Sequence, residues 1–262
     1  MVEQDQLAAR IAETRQPIGE HELRGEIIRI AVDRLDERAG AIGHACSLAR
    51  YGRGMEKPPI VDAATWQKQR DELLAEEKRL TRELDALAAK RRRLPMVEFA
   101  NKYKFQAPGG TRSLRDLFDG RMQLVIYQFM DLGPDKFCPG CTQFTNNIAM
   151  GAMDALHRGD VSWCNISNMP LAQIDAYKAR MGWTMPFVSS HATTWTEDIN
   201  SPYFQLSVWL REGDKIYRTY TTTARGVDRL LFVSNIMDLL PYGRQQEWKD
   251  SPKGWPQHPT NG

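Results

Sequence analysis

Nowhere in the 262 residues do eighteen apolar side chains run together, so no membrane-spanning helix is expected. The start of the chain, Met1-Val2-Glu3-Gln4-Asp5-Gln6, lacks the basic lead and apolar stretch of a secretory signal, and a cytoplasmic protein is the expectation. Charge of a single sign is missing too. With 35 basic residues against 33 acidic ones the net charge is +2, which removes the overall field that would recruit nucleic acid or an anionic membrane. Cysteine is scarce: four in a chain of this length cannot staple a disulfide scaffold, and in a reducing compartment a close pair points to catalysis or metal instead. The five histidines, His21, His44, His157, His191 and His258, are scattered without ligand spacing, and no second cysteine pair is present, so a zinc site lacks partners. Apolar residues are plentiful at 42%, enough to build one domain with a substantial extension.

Two of the cysteines stand together in Cys138-Pro139-Gly140-Cys141. They follow Leu124-Val125-Ile126-Tyr127-Gln128-Phe129-Met130, which reads as a buried strand, and precede a helical pattern. Thiols three residues apart at a strand-to-helix turn can switch between dithiol and disulfide. The unpaired amides and the dipole at the helix start favour a thiolate on Cys138, the outer and open sulfur, with Cys141 one turn further in as its resolving partner. Pro139 suits the first helical position and Gly140 leaves room for backbone approach. Lys136 adds positive charge nearby, while Asp131 and Asp135 act against the thiolate. Cys164, inside the strand pattern Val161 to Ile166, reads as a small buried apolar residue, and Cys46 falls in a segment without a clear pattern.

Composition divides the chain into a charged, Arg-rich extension over 1–57, helical or partly disordered, a long helix over 62–95, an α/β domain over 96–244, and a tail over 245–262. The long helix has Asp62 as N-cap and Pro95 as stop. Trp66, Leu73, Leu80, Leu87 and Leu94 recur every seven residues, but Arg70, Glu77 and Arg91 occupy three of the four second-seam sites. The expectation is docking on the chain's own domain or on a dimer partner, with Lys90-Arg91-Arg92-Arg93 a solvated helix end. Beyond it the pattern predicts a strand from Gln123 to Met130, one helix through Phe144, Ile148, Ala152, Ala155 and Leu156, and a strand from Val161 to Ile166. A helix from Leu171 to Met181 ended by Gly182 and a short strand over Thr184 to Ser189 come next. A hairpin of Phe204 to Arg211 with Lys215 to Thr223 leads to a last helix through Val227 to Leu240. Strand, helix, strand, helix, hairpin, helix predicts a mixed central sheet covered on both faces, the order of elements in the thioredoxin fold.

From about Val61 to Arg244 the chain resembles the domain of unknown function 899 family, described as predicted dithiol-disulfide oxidoreductases of thioredoxin-like fold. The heptad helix from Trp66, Leu114-Arg115-Asp116-Leu117-Phe118-Asp119-Gly120-Arg121, and Cys138 to Cys141 carry the likeness. So do Ala176-Tyr177-Lys178-Ala179-Arg180-Met181-Gly182-Trp183, Pro186-Phe187-Val188-Ser189-Ser190 and Thr221-Thr222-Thr223-Ala224-Arg225-Gly226. The resemblance implies dithiol-disulfide chemistry and a wider kinship with peroxiredoxins and alkyl hydroperoxide reductases. Those enzymes set a Pro and a Thr or Ser seven and three residues before their peroxidatic cysteine, where this chain has Asp131 and Asp135. Thioredoxin faces its disulfide with a cis-proline, where this chain offers Gln205 or Leu206, with Pro202 a few residues early.

The expected activity is therefore thiol-disulfide exchange, Cys138 attacking and Cys141 resolving, with no organic cofactor or metal. The partners are a protein or small-molecule disulfide or thiol and a reductant system. A thiol peroxidase and a binding module that kept the fold without the chemistry are the competing readings. His191, in a loop after the Pro186 strand, and Arg225, at the hairpin's end, are candidates to support the thiols. Trp183 and Trp195 are expected to be packing residues, with lining a substrate groove as the alternative for both.

Overall fold

In the computed structural model, which describes residues 57–149, 151–201, 203–250 and 257, Asp62 opens the first helix, α1 (Ala63–Arg91), by accepting the Thr65 amide at 2.9 Å. The described residues belong to one unit, Gly54–Gly262. Expectations for residues 1–56, including Cys46, and for Pro202, His258 and most of the tail lie outside the described residues. No residue of α1 is buried, so the expected docking of this helix on its own domain is not what the structure has. Its contact with the sheet is made at its end, where the Arg91 guanidinium lies 4.8 Å over the Tyr220 ring.

Three short strands that the sequence pattern does not announce come next: β1 (Val97–Phe99), β2 (Phe105–Ala107) and β3 (Gly110–Arg112). Each has only three residues, too few for a period-two alternation to register. Then follow β4 (Gln123–Phe129), α2 (Pro139–Asn146), α3 (Ala152–Arg158), β5 (Val161–Ser167) and α4 (Leu171–Met181). The chain continues through β6 (Phe187–Ser189), a single turn α5 (Trp195–Asp198), the hairpin β7 (Gln205–Glu212) and β8 (Lys215–Thr222), a 3-10 segment Ala224–Leu230, and α6 (Phe232–Met237).

Two expected helices are divided. The helix through Phe144 and Leu156 is two, because Asn147 caps α2 and Gly151, at φ +80°, takes a left-handed turn before α3. Asn147 holds this corner with its side chain, donating to the Gln143 carbonyl at 2.7 Å and accepting the Val233 amide at 2.8 Å. The last helix breaks at Leu231, whose extended backbone separates the 3-10 segment from α6. By contrast α4 ends as its sequence predicts, with Gly182 at φ +68° and the Trp183 amide reaching back to the Lys178 carbonyl.

The eight strands form one mixed sheet in the order β1-β8-β7-β4-β5-β6-β2-β3. β4, β5 and β6 are parallel and β7 runs antiparallel to β4. The central β8-β7-β4-β5 arrangement, with α2 and α4 in the crossovers and the hairpin returning on the other side of β4, is that of a thioredoxin-like fold. Because β4 is central, both of its faces are buried, and alternate residues serve different cores. Leu124 and Ile126 join Phe105, Phe118, Ile166, Trp195 and Trp209 on one face, and Cys164 belongs to this side. Tyr127 and Phe129 join Phe144, Tyr177, Trp183 and Leu206 on the other, together with Cys138 and Cys141. Among the described residues no helix is long and apolar enough to cross a membrane.

Candidate active site

The thiol turn is built by the end of β4 and the start of α2. After Phe129 the chain makes a loop over 130–137, closed by an antiparallel bridge between Asp131 and Phe137 and bent at Gly133 and Asp135, both at positive φ. Cys138 is then the N-cap of α2, with Pro139 at the first helical position. The cap is a sulfur: Cys138 Sγ accepts the Cys141 amide at 3.2 Å. Cys141, one turn in, lies under the sheet end, where the Met130 amide donates to its Sγ at 3.5 Å.

These contacts set the two thiols apart chemically. Cys138 is lowered from an ordinary 9.0 to about 7, first because the Cys141 side chain hydrogen-bonds to its thiolate, then because the Cys141 and Gly140 amides do; burial opposes them. Cys141 is pushed up, chiefly by its hydrogen bond to the Cys138 sulfur and by burial. Two groups resist that rise, the Met130 amide, which donates to the Cys141 sulfur, and the Tyr127 hydroxyl. The two shifts run in opposite directions, so the outer thiol is the more acidic of the pair. Both are free thiols.

The expectation of an open outer sulfur needs correction. Cys138 keeps 5% of its surface and Cys141 none, so the order of access is as expected while the access itself is narrow. The cause is the apolar cluster in which both sit. Phe137 stacks on Tyr177 at 3.6 Å, the Arg180 guanidinium covers both rings, and the Tyr177 hydroxyl shares a 2.6 Å hydrogen bond with Thr142 Oγ1. Thr142 in turn donates to the Cys138 carbonyl, so α4 is tied to the first turn of α2 through side chains.

Of the other sequence-derived candidates, Pro139 and Gly140 lie in the turn itself. Lys136 is exposed and is not among the groups that shift Cys138, nor are Asp131 and Asp135. His191 is exposed and engaged with its own corner, its Nδ1 3.2 Å from the Asn168 carbonyl and its amide donating to Ser189 Oγ. Arg225 is turned to Asp228 at 3.5 Å and to the Trp248 ring at 3.8 Å, so it serves a carboxylate and an aromatic face rather than the sulfurs. Trp183 packs edge-on to Tyr177 and donates Nε1 to Asn146, and it also lines a cleft of about 420 Å³ beside the far end of α2. Trp195 is fully buried and donates to Gln128 Oε1 at 2.9 Å. Cys164 is buried on the opposite face of the sheet, where desolvation pushes its thiol up to about 12. Among the described residues no group of three or more His, Cys, Asp or Glu is placed to hold a metal ion.

Tyr127, Thr142 and Tyr177 also belong to the site, and no catalytic motif in the sequence marks them. Tyr127 was recoverable, because strand alternation from the apolar Phe129 places it on the face that carries α2. It stacks on Phe144 at 4.1 Å and is paired in register with Leu206 of β7. Gln205 begins β7, and its Oε1 is buried without a hydrogen-bond partner; no cis peptide bond occurs among the described residues.

Solved structures of known proteins align with the chain at low identity. A peroxiredoxin Q from Xanthomonas campestris is 16% identical, with 55% of this chain and 96% of that one covered and a TM-score of 0.36. A thiol:disulfide interchange protein from Bacteroides sp. is 12% identical over 58% and 94%, with a TM-score of 0.41. The peroxidoxin BcpB of Mycobacterium tuberculosis is 14% identical over 53% and 94%, with a TM-score of 0.37. No curated protein matches the sequence significantly. The family model described as bacterial protein of unknown function (DUF899) matches residues 55–260, a span that takes in α1, the whole sheet and both thiols, and the chain belongs to that family.

Proposed function

We propose that the protein is a thiol-disulfide oxidoreductase in which Cys138 is the nucleophile and Cys141 the resolving thiol. The observation that carries this reading is the asymmetric pair: an N-cap sulfur held as thiolate near neutral pH, beside a fully buried thiol three residues on. The Cys138 thiolate attacks one sulfur of a substrate disulfide, a mixed disulfide forms, and the other substrate sulfur leaves as thiolate and takes up a proton. Cys141 then gives up its proton and attacks Cys138 Sγ. The protein disulfide forms, the second substrate sulfur leaves, and two electrons have passed to the substrate. A dithiol reductant reverses the oxidation. Narrow access at Cys138 favours a disulfide that is small or lies on an extended segment.

The same observation supports a second reading, reduction of a peroxide. A small oxidant needs less room than a protein disulfide. Cys138 would take the peroxide's oxygen as sulfenic acid with release of water, and Cys141 would condense with it to the disulfide with release of a second water. One experiment separates the two: stopped-flow oxidation of the reduced protein by hydrogen peroxide and by a low-molecular-weight disulfide, each repeated with Cys138→Ser. Faster reaction with the disulfide supports exchange, faster reaction with peroxide supports the second reading, and reaction with neither, or reaction unaffected by Cys138→Ser, refutes both.

A further inference from the structure

The 29-residue helix α1 spans about 43 Å and is held to the sheet at one end, yet it carries a stripe no described element covers. Trp66 and Leu73 are each 57% exposed, Leu84 is 49% and Leu80 and Leu87 are each 47%. Such a face needs a partner, and the charges along the helix specify which one. Residues 62–77 carry five acidic and two basic side chains, whereas residues 78–93 carry seven basic and two acidic. The helix is therefore complementary to itself run backwards.

We propose that a second copy of this chain lies antiparallel along α1, the two helices crossing near Lys78 and Arg79. In a parallel pair each seam residue meets its own copy, which would put Arg70 on Arg70, Glu77 on Glu77 and Arg91 on Arg91 between the helices, a like-charge contact in three of the second-seam layers. Reversal pairs each second-seam residue with a leucine-seam residue of the other copy. Leu73 then meets Leu84, Leu80 meets Glu77, and Leu87 meets Arg70, so each seam charge lies against an apolar side chain and can reach solvent along it. The acidic half of each helix faces the basic half of the other. In the single chain Arg70 and Glu77 already pair at 3.5 Å, which leaves the seam locally neutral.

The full chain should sediment as a dimer at tens of micromolar, and Leu80→Glu should weaken the dimer by about 100-fold or more. Alkylation of Cys138 should proceed at its normal rate in that variant, since no residue of α1 is buried in the domain. Orientation is read by a short lysine cross-linker on a mixture of isotopically light and heavy protein. A link between Lys68 of one copy and Lys90 of the other is expected, because within one helix these residues are about 33 Å apart and out of reach. A monomeric chain, a dimer indifferent to Leu80→Glu, or links between Lys68 of one copy and Lys68 of the other would each overturn the proposal.

Discussion

Replacing Cys141 by alanine removes the first cause of the low Cys138 pKa while leaving the helix amides in place. A hydrogen bond to a charged group contributes about 1.5–3 kcal/mol, equivalent to about 1 to 2 pKa units. Cys138, near 7 in the native pair, should therefore rise to between about 8 and 9 in Cys141→Ala. Cys141→Ser is the control, since its hydroxyl still donates and the midpoint should stay near 7. The assay is iodoacetamide alkylation against pH, read at Cys138 by peptide mass so that other cysteines do not contribute. The midpoint is the quantity to follow. A rate at one pH mixes the falling thiolate fraction with the greater nucleophilicity of a more basic thiolate, which rises with a Brønsted coefficient of about 0.4–0.5. If Cys141→Ala kept a midpoint near 7, the backbone amides alone would account for the thiolate, and the assignment of the sulfur-sulfur hydrogen bond as the main cause would be wrong.

Other outcomes follow from the same contacts. Tyr127→Phe keeps the stack on Phe144 but takes the hydroxyl from Cys141, so single-turnover experiments should show the mixed disulfide accumulating while the first attack by Cys138 proceeds at its normal rate. Trp195→Phe leaves Gln128 Oε1 buried without its donor and opens a small void; urea unfolding should show a loss of about 2–4 kcal/mol with thiol reactivity unchanged. Gly182→Ala forces a side chain into the left-handed region at φ +68°, where the space is open, so about 1 kcal/mol of stability should go from strain alone. The folded-state pKa of Cys138 is depressed, so its contribution to stability is complete above about 9 and is lost as pH falls through about 7. Cys141 is shifted the other way, and its contribution begins to be lost above its ordinary value of 9.0. Reduced protein should accordingly gain about 1 kcal/mol between pH 6 and pH 8 in chemical denaturation, and Cys138→Ser should not.

Long elements with one strong periodicity were legible. The heptads of α1 and its Asp62 cap, the parallel strands β4 and β5, and α4 with its closing glycine all follow from spacing and capping chemistry, because each is set by its own residues. The edge strands were not. Val97–Phe99 becomes a strand because β8 offers it an edge, with Val97 opposite Arg218 and Phe99 opposite Ile216, and nothing within three residues encodes that neighbour. The division between α2 and α3 was hidden for a related reason: Asn147 ends α2 by engaging the Val233 amide, a partner 86 residues away. At the site, the sequence disclosed the thiols and their helix-cap position, but not Tyr127 beneath Cys141 or the Phe137, Tyr177 and Arg180 stack nearby. These are tertiary contacts made across the face of the sheet. Lys136, although near in sequence, is exposed and is not among the groups that shift Cys138, whereas Cys141, one helical turn on, is.

A reversible redox couple at Cys138 and Cys141 is what the proposed exchange requires. The direct measurement is to equilibrate the protein in glutathione buffers of stepped potential, trap free thiols with a mass-tagged alkylator, and map the bridged peptides. A disulfide joining Cys138 to Cys141 that forms and reopens along one two-electron curve, and disappears in either Cys→Ser variant, is the predicted result. Thiols that remain free across the whole range, or a bridge from Cys138 to any other cysteine, would contradict it.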